Sequence, residues 1–365
     1  MAVSKEHIKR GFLRVVKTTA VPILVWLIME LILRNTVGTR VLQNSADIKT
    51  IFRNLVSTVA FSLAISTNLN CGRMDLSLGA QMYAGTIFGG NLALMMGWGG
   101  IGMLICAMII GGICGVATGI IFVNMRILPM VLGLGMTLIF ECICFMINRQ
   151  QGVTVYGKPG IQTLSNVSFI IIVAILLIII STYLFQWSRF GYRYRAIQGN
   201  QKLASDAGIN IYTNCVLCYL IGGILVACAG VFITAYSGSL TPVLGMNSNG
   251  YVFSNMFPMI LGIWIGSFCN NRQIGILMAA ISVNLLTITL SKMGLGISTQ
   301  NMIVYTLFLL FVIYNANKSK FAYRKMKAAR IALAEETLRV KQNDVYTERQ
   351  KAGIKYEKKT SYYYL

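Results

Sequence analysis

Apolar runs recur along nearly the whole sequence, at residues 18–33, 51–65, 83–96, 103–125, 130–147, 168–185, 214–236, 251–268, 274–290 and 297–314. With their flanks, most reach the roughly 20 residues that carry an α-helix across a ~30 Å hydrocarbon core. A chain that is 56% hydrophobic and only 12% charged is too apolar for an ordinary soluble domain. The fold class read from this is all-α: a polytopic membrane protein of about ten transmembrane helices.

Charge orients the array. The leader, residues 1–17, carries Lys5, Lys9, Arg10, Arg14 and Lys17 against Glu6. The stretch 187–213 carries Arg189, Arg193, Arg195 and Lys202 against Asp206, and the tail, 315–365, holds thirteen Lys/Arg against five Asp/Glu. The positive-inside rule places all three in the cytoplasm, and an even number of crossings puts both termini there. The connector 34–50 is then external. Most of the net charge of +21 is thereby explained by orientation and by attraction to anionic membrane lipid, with no nucleic acid as partner. The domain plan is a basic leader (1–17), a transmembrane domain (18–314) containing the loop 187–213, and a basic tail (315–365). Within the tail, 323–342 has the composition of a short helix, with a partner contact as one possible use.

The stretch 67–80 reads T-N-L-N-C-G-R-M-D-L-S-L-G-A between two apolar runs. Lipid cannot satisfy Asn68, Asn70, Gly72, Arg73, Asp75 and Gly79 together at this depth, so non-helical backbone here must face protein or a water-filled path. A broken second/third helix is the reading. Thr67, Gly72, Asp75, Leu76, Ser77 and Gly79 fit the pattern T-x-x-x-x-G-x-x-D-L-S-x-G, which resembles the signature of ABC importer permeases for simple sugars, the ribose, xylose and galactose type.

A second segment, Ser188 to Asn210, resembles the cytoplasmic loop of the same family at Phe190, Gly191, Ala196, Gly199, Asn200, Ala204, Ala207, Gly208, Ile209 and Asn210. The resemblance implies a short coupling helix that docks on a separate ATP-hydrolysing subunit, with Gly191, Gly199, Asn200, Ala204 and Gly208 as the docking positions. Arg193, Arg195 and Lys202 can pair at the rim of such a cleft. A solvated basic loop would explain the charge and leave the Gly/Asn/Ala spacing unexplained. Overall the resemblance covers about 51–314. The chain departs from it at 262–275, where Cys269, Asn270, Asn271, Arg272 and Gln273 replace a glycine-rich stretch.

The remaining candidates are fewer. Asn68 and Asn70 are placed to meet a sugar, because amides both donate to and accept from hydroxyls. Together with Asp75 and Ser77 they form the expected substrate path. Asp75, two residues from Arg73, is expected to be neutralised locally and to hold the break in preference to touching substrate. Glu141 is a second carboxylate at membrane depth, read equally as functional or as paired with Arg126, Arg149 or a neighbouring helix. Gly111, Gly115 and Gly119 share one face at four-residue spacing, the mark of close helix packing. The nine cysteines lie almost wholly in apolar runs and read as packing residues, Cys215-x-x-Cys218 included, and the lone His7 lies in the leader. No metal, catalytic residue or cofactor is expected. The sequence has no G-x-x-x-x-G-K-[ST], so ATP belongs to a partner subunit.

The resemblance therefore implies a permease subunit of an ATP-driven sugar importer in a prokaryotic plasma membrane. It would work with ABC ATPases, a second permease subunit and an extracytoplasmic sugar-binding protein. The rivals are the same machine for another small solute (a nucleoside, branched-chain amino acid or furanone signal), and a secondary transporter in which Asp75 and Glu141 carry protons.

Overall fold

Nine helices among the described residues are long and apolar enough to cross a membrane. A computed structural model describes residues 2–125, 127–158 and 160–351. The helices are α1 (Ala2–Thr36), α2 (Ser45–Leu69), α3 (Leu78–Met95), α4 (Gly99–Met125), α5 (Pro129–Met146), α6 (Gln162–Ser165) and α7 (Val167–Thr182). They continue as α8 (Arg189–Gly199), α9 (Gln201–Asp206), α10 (Ile211–Ser237), α11 (Asn249–Cys269), α12 (Arg272–Lys292) and α13 (Ile297–Lys351). The short α6, α8 and α9 lie outside the spans, and α3 is too rich in small and polar residues to count by apolarity. Its 18 residues nonetheless give about 27 Å of helix. The chain is an all-α, multi-pass membrane protein with nine such spans among the described residues where about ten are expected, α3 being the run that falls short.

Residues up to Tyr305 form one compact unit, and those from Thr306 onward a second. In the second unit α13 runs on without a break to Lys351, so 323–342 is part of one long helix and not a short separate one. The side chains from Met326 to Val340 are exposed. Met1, Arg126 and the last residues of the tail, 352–365, lie outside the described residues.

In the first unit α10 lies at the centre, against α4, α2 and α3. The glycine face is the reason α4 can approach. A Cβ on Gly111 would overlap the Gly223 carbonyl and Ala227, one on Gly115 would overlap the Tyr219 carbonyl, and one on Gly119 would crowd Tyr219. Two connectors are pinned by a two-residue antiparallel ladder, Val153 with Leu240 and Thr154 with Ser239. At the start of α2, Lys292 Nζ lies 2.7 Å from Asp47 Oδ2 and donates to the carbonyls of Arg40 and Val41 at 3.0 and 2.9 Å.

The departing segment 262–275 is a tight helical hairpin. Gly262, Gly266 and Gly275 leave no room for a Cβ against the facing helix, Asn270 takes a left-handed φ of 56°, and Asn271 Oδ1 accepts from the amides of Gln273 and Ile274.

Candidate functional site at the helix break

Helix α2 ends in a glycine stop. The Gly72 amide donates to Leu69 O at 2.9 Å and the Arg73 amide to Asn68 O at 3.1 Å, with Gly72 at φ +74°. This is a Schellman closure, and it needs a residue free to adopt the left-handed conformation. A Cβ at Gly72 would meet nothing, so the requirement is backbone conformation alone.

Helix α3 starts on a carboxylate. Asp75 Oδ1 accepts from the Ser77 amide at 2.9 Å and the Ser77 hydroxyl at 2.6 Å, and Oδ2 accepts from Gln81 Nε2 at 3.3 Å. Gln81 also donates to Ser77 Oγ at 2.7 Å. Asp75, Ser77 and Gln81 are all buried, and the negative group sits at the positive end of α3. Arg73 does not serve Asp75: its two terminal guanidinium nitrogens are buried and have no hydrogen-bond partner. The expectation of local neutralisation by Arg73 is thus replaced by hydroxyl and amide donors.

Glu141 does the equivalent at α11. Its Oε2 accepts from the Met246 amide at 2.8 Å and its Oε1 from the Ser248 amide at 2.9 Å, so its partner is the backbone leading into a neighbouring helix. The two helix starts meet. A Cβ on Gly79 would fall on the Ser248 carbonyl, and one on Gly133 of α5 would lie 2.7 Å from the Leu76 nitrogen. Thr137 Oγ1, which donates to Gly133 O at 2.8 Å, lies 3.3 Å from Leu76 O and 3.4 Å from Asn249 Oδ1. The D-L-S-x-G residues thus cap one helix and admit another.

The four residues of the expected path separate. Asp75 and Ser77 are bonded to each other. Asn68 is fully buried with both amide atoms unpartnered, 3.7 Å from where a Gly222 Cβ would stand. Asn70 caps α2 and is half-buried beside Tyr194.

The loop 187–213 folds as two helices. Ser188 Oγ accepts from the Gly191 amide to start α8, and Asn200 Oδ1 accepts from the amides of Lys202 and Leu203 to start α9. Gly191 and Ala204 are buried, and a Cβ at Gly191 would overlap the Phe185 carbonyl. Arg193, Arg195, Gly199, Asn200 and Gly208 are exposed, with Gly208 at φ +78° and open space at both glycines. Leu203 and Tyr192 stand out on the same pair of helices at 67% and 61% exposure, and the Arg195 guanidinium covers the Tyr192 ring at 4.8 Å.

These helices are bonded to the break itself, which no pattern in the sequence indicated. The Tyr194 hydroxyl donates to Thr67 O at 3.0 Å, with Ser66 O at 3.2 Å, and Gln201 Nε2 donates to Cys71 O at 3.1 Å. A cavity of about 380 Å³ adjoins the contact, walled by Cys71, Arg73, Gln201, Tyr212 and Cys215. Gln81 was also missed, although its position four residues after Ser77 puts both on one face of α3. Tyr194 and Gln201 meet the break only through tertiary contact.

A many-helix membrane protein with capped, buried helix starts and a helical pair tied to its broken segment is built as a permease. The family described as "Branched-chain amino acid transport system / permease component" matches residues 48–313, and this chain belongs to it. Its relatives include the fructose import permease protein FrcC of Rhizobium meliloti, 23% identical over 236 residues, which are 60% of this chain and 64% of FrcC. The D-allose transport system permease protein AlsC of Escherichia coli is 26% identical over 194 residues, 50% of this chain and 57% of AlsC. The ribose import permease protein RbsC of Escherichia coli is 23% identical over 280 residues, 73% of this chain and 83% of RbsC. The chain thus spans somewhat less than two thirds of the length of the first two.

Proposed function

We propose that this chain is the transmembrane subunit of an ATP-driven importer for a simple sugar in a prokaryotic plasma membrane. It works with separate ABC ATPases, a second permease subunit and an external sugar-binding protein, and holds no cofactor of its own. The carrying observation is the hydrogen-bonded link from α8 and α9 to the break through Tyr194 and Gln201. A partner that pulls on the exposed face of Arg193, Arg195, Gly199, Asn200, Leu203 and Gly208 moves the end of α2 with it, while Gly191 and Ala204 anchor the pair from beneath. The ends 1–17 and 315–365 and the loop 187–213 then lie in the cytoplasm.

The path for solute runs beside the break. Asp75 and Ser77 hold the start of α3, Asn70 ends α2, and the free amide of Asn68 is one group there able to meet a hydroxyl. The sugar reading is favoured over the amino-acid wording of the family description by FrcC, AlsC and RbsC, whose names specify sugars. Proton coupling through Asp75 and Glu141 is disfavoured, because both oxygens of each carboxylate already accept hydrogen bonds.

The test is purification of the tagged chain from its native membrane in mild detergent, with mass spectrometry of what accompanies it. Recovery of an ATPase with a nucleotide-binding P-loop, lost when Gly199 and Gly208 become Trp, supports the reading. An active chain recovered alone would overturn it.

A further inference from the structure

Four helices each bring one asparagine to a single cavity: Asn54 from α2, Asn255 from α11, Asn284 from α12 and Asn301 from α13. The cavity has a volume of about 270 Å³, and its lining contains hydroxyl, amide and apolar side chains, with no Asp, Glu, Lys or Arg among the described residues. Asn54 lies nine residues into α2, so the cavity stands roughly 22 Å along that helix from the break, toward the end closed by Lys292 and Asp47. Under the proposed orientation this is the external half.

Asn255 Nδ2 already donates to Tyr251 O at 2.8 Å and Asn301 is exposed, so the unmet polar capacity of the cluster lies at Asn284. Asn284 is 5% exposed, yet its Nδ2 has no hydrogen-bond partner. Pro258, inside α11, has no N–H, so the helix ladder leaves the Ser254 carbonyl without its usual donor. On the same wall Ser254 Oγ and the Tyr305 hydroxyl are 3.1 Å apart. Tyr251 is held as a fixed surface, stacked on Phe61 at a centroid distance of 6.4 Å and met edge-on by Tyr83 at 6.0 Å.

We infer that this cavity is a subsite for a neutral, polyhydroxylated molecule the size of a monosaccharide. Amide groups that donate and accept match hydroxyls in either role, and an aromatic ring offers a surface for the C–H face of a sugar ring. The volume is near the lower limit of ~300 Å³ for small-ligand sites, which excludes longer saccharides. A zwitterionic amino acid would enter with two charges and find no counter-charge in the lining. The inference rests on the importer reading and specifies which residues of the path select the solute.

The experiment uses the chain reconstituted in proteoliposomes with its co-purified ATPase and binding protein. Radiolabelled D-fructose, D-allose, D-ribose and L-leucine are the probes. Asn284→Leu and Asn301→Leu, assembled with the ATPase as in wild type, raise the KM for the transported sugar by about tenfold or more. Ser254→Trp, which fills the space from a half-buried position, abolishes its uptake. Wild-type sugar uptake matched by all three variants would overturn this inference alone. ATP-driven uptake of L-leucine and none of the sugars would overturn the sugar reading of the importer and this inference together.

Discussion

At the scale of single residues, Asp75 and Glu141 are each spent on a helix start. Glu141 accepts from two backbone amides, Met246 N and Ser248 N. Glu141→Leu therefore orphans both, at about 1–3 kcal/mol for each buried N–H, whereas Glu141→Gln keeps one acceptor oxygen and loses less. The buried cysteines supply the readout: thermal unfolding followed by a thiol-reactive dye should begin markedly lower for Leu than for Gln. Equal curves would remove the capping role. From the sequence Glu141 could be recognised as exceptional, because a carboxylate in an apolar run is expensive. Its partner could not be, since Met246 and Ser248 are more than a hundred residues away and offer backbone, which carries no residue signature.

At the scale of elements, the break works because its glycines do different jobs. Gly72 supplies a backbone conformation in open space, and Gly79 supplies room for the Ser248 carbonyl. Gly72→Ala should cost about 1–2 kcal/mol, the penalty of a left-handed residue with a side chain, and leave a folded protein. Gly79→Ala places a methyl group on fixed backbone, separates α3 from α11, and should greatly reduce the yield of folded protein in size-exclusion chromatography. Equal yields from both variants would contradict this division. The interruption itself was legible, because polar residues and glycine in a membrane wall admit few solutions. The double-helix form of the 187–213 loop was only partly legible: the resemblance implied one short helix, and Asn200 proves to be the cap that divides α8 from α9. The four asparagines of the polar cavity went unremarked because each sits alone in its own run and only packing assembles them.

At the scale of the whole molecule, the run lengths carried the all-α, many-span architecture. Hydropathy could not show that the loop 187–213 is fastened to the broken helix about 130 residues earlier, since the hydrogen bonds of that link come from one tyrosine hydroxyl and one glutamine amide, beside the packing of Cys71 on Tyr194, Ile197 and Ala204. The proposed importer depends on this link to turn movement of the ATPases into movement of the path. The decisive measurement is sugar uptake and ATP hydrolysis recorded on the same proteoliposomes for a Tyr194→Phe, Gln201→Leu double variant. Hydrolysis should continue while sugar carried per ATP falls at least about tenfold, consistent with loss of two hydrogen bonds at roughly 1 kcal/mol each. Uptake per ATP equal to wild type would contradict it.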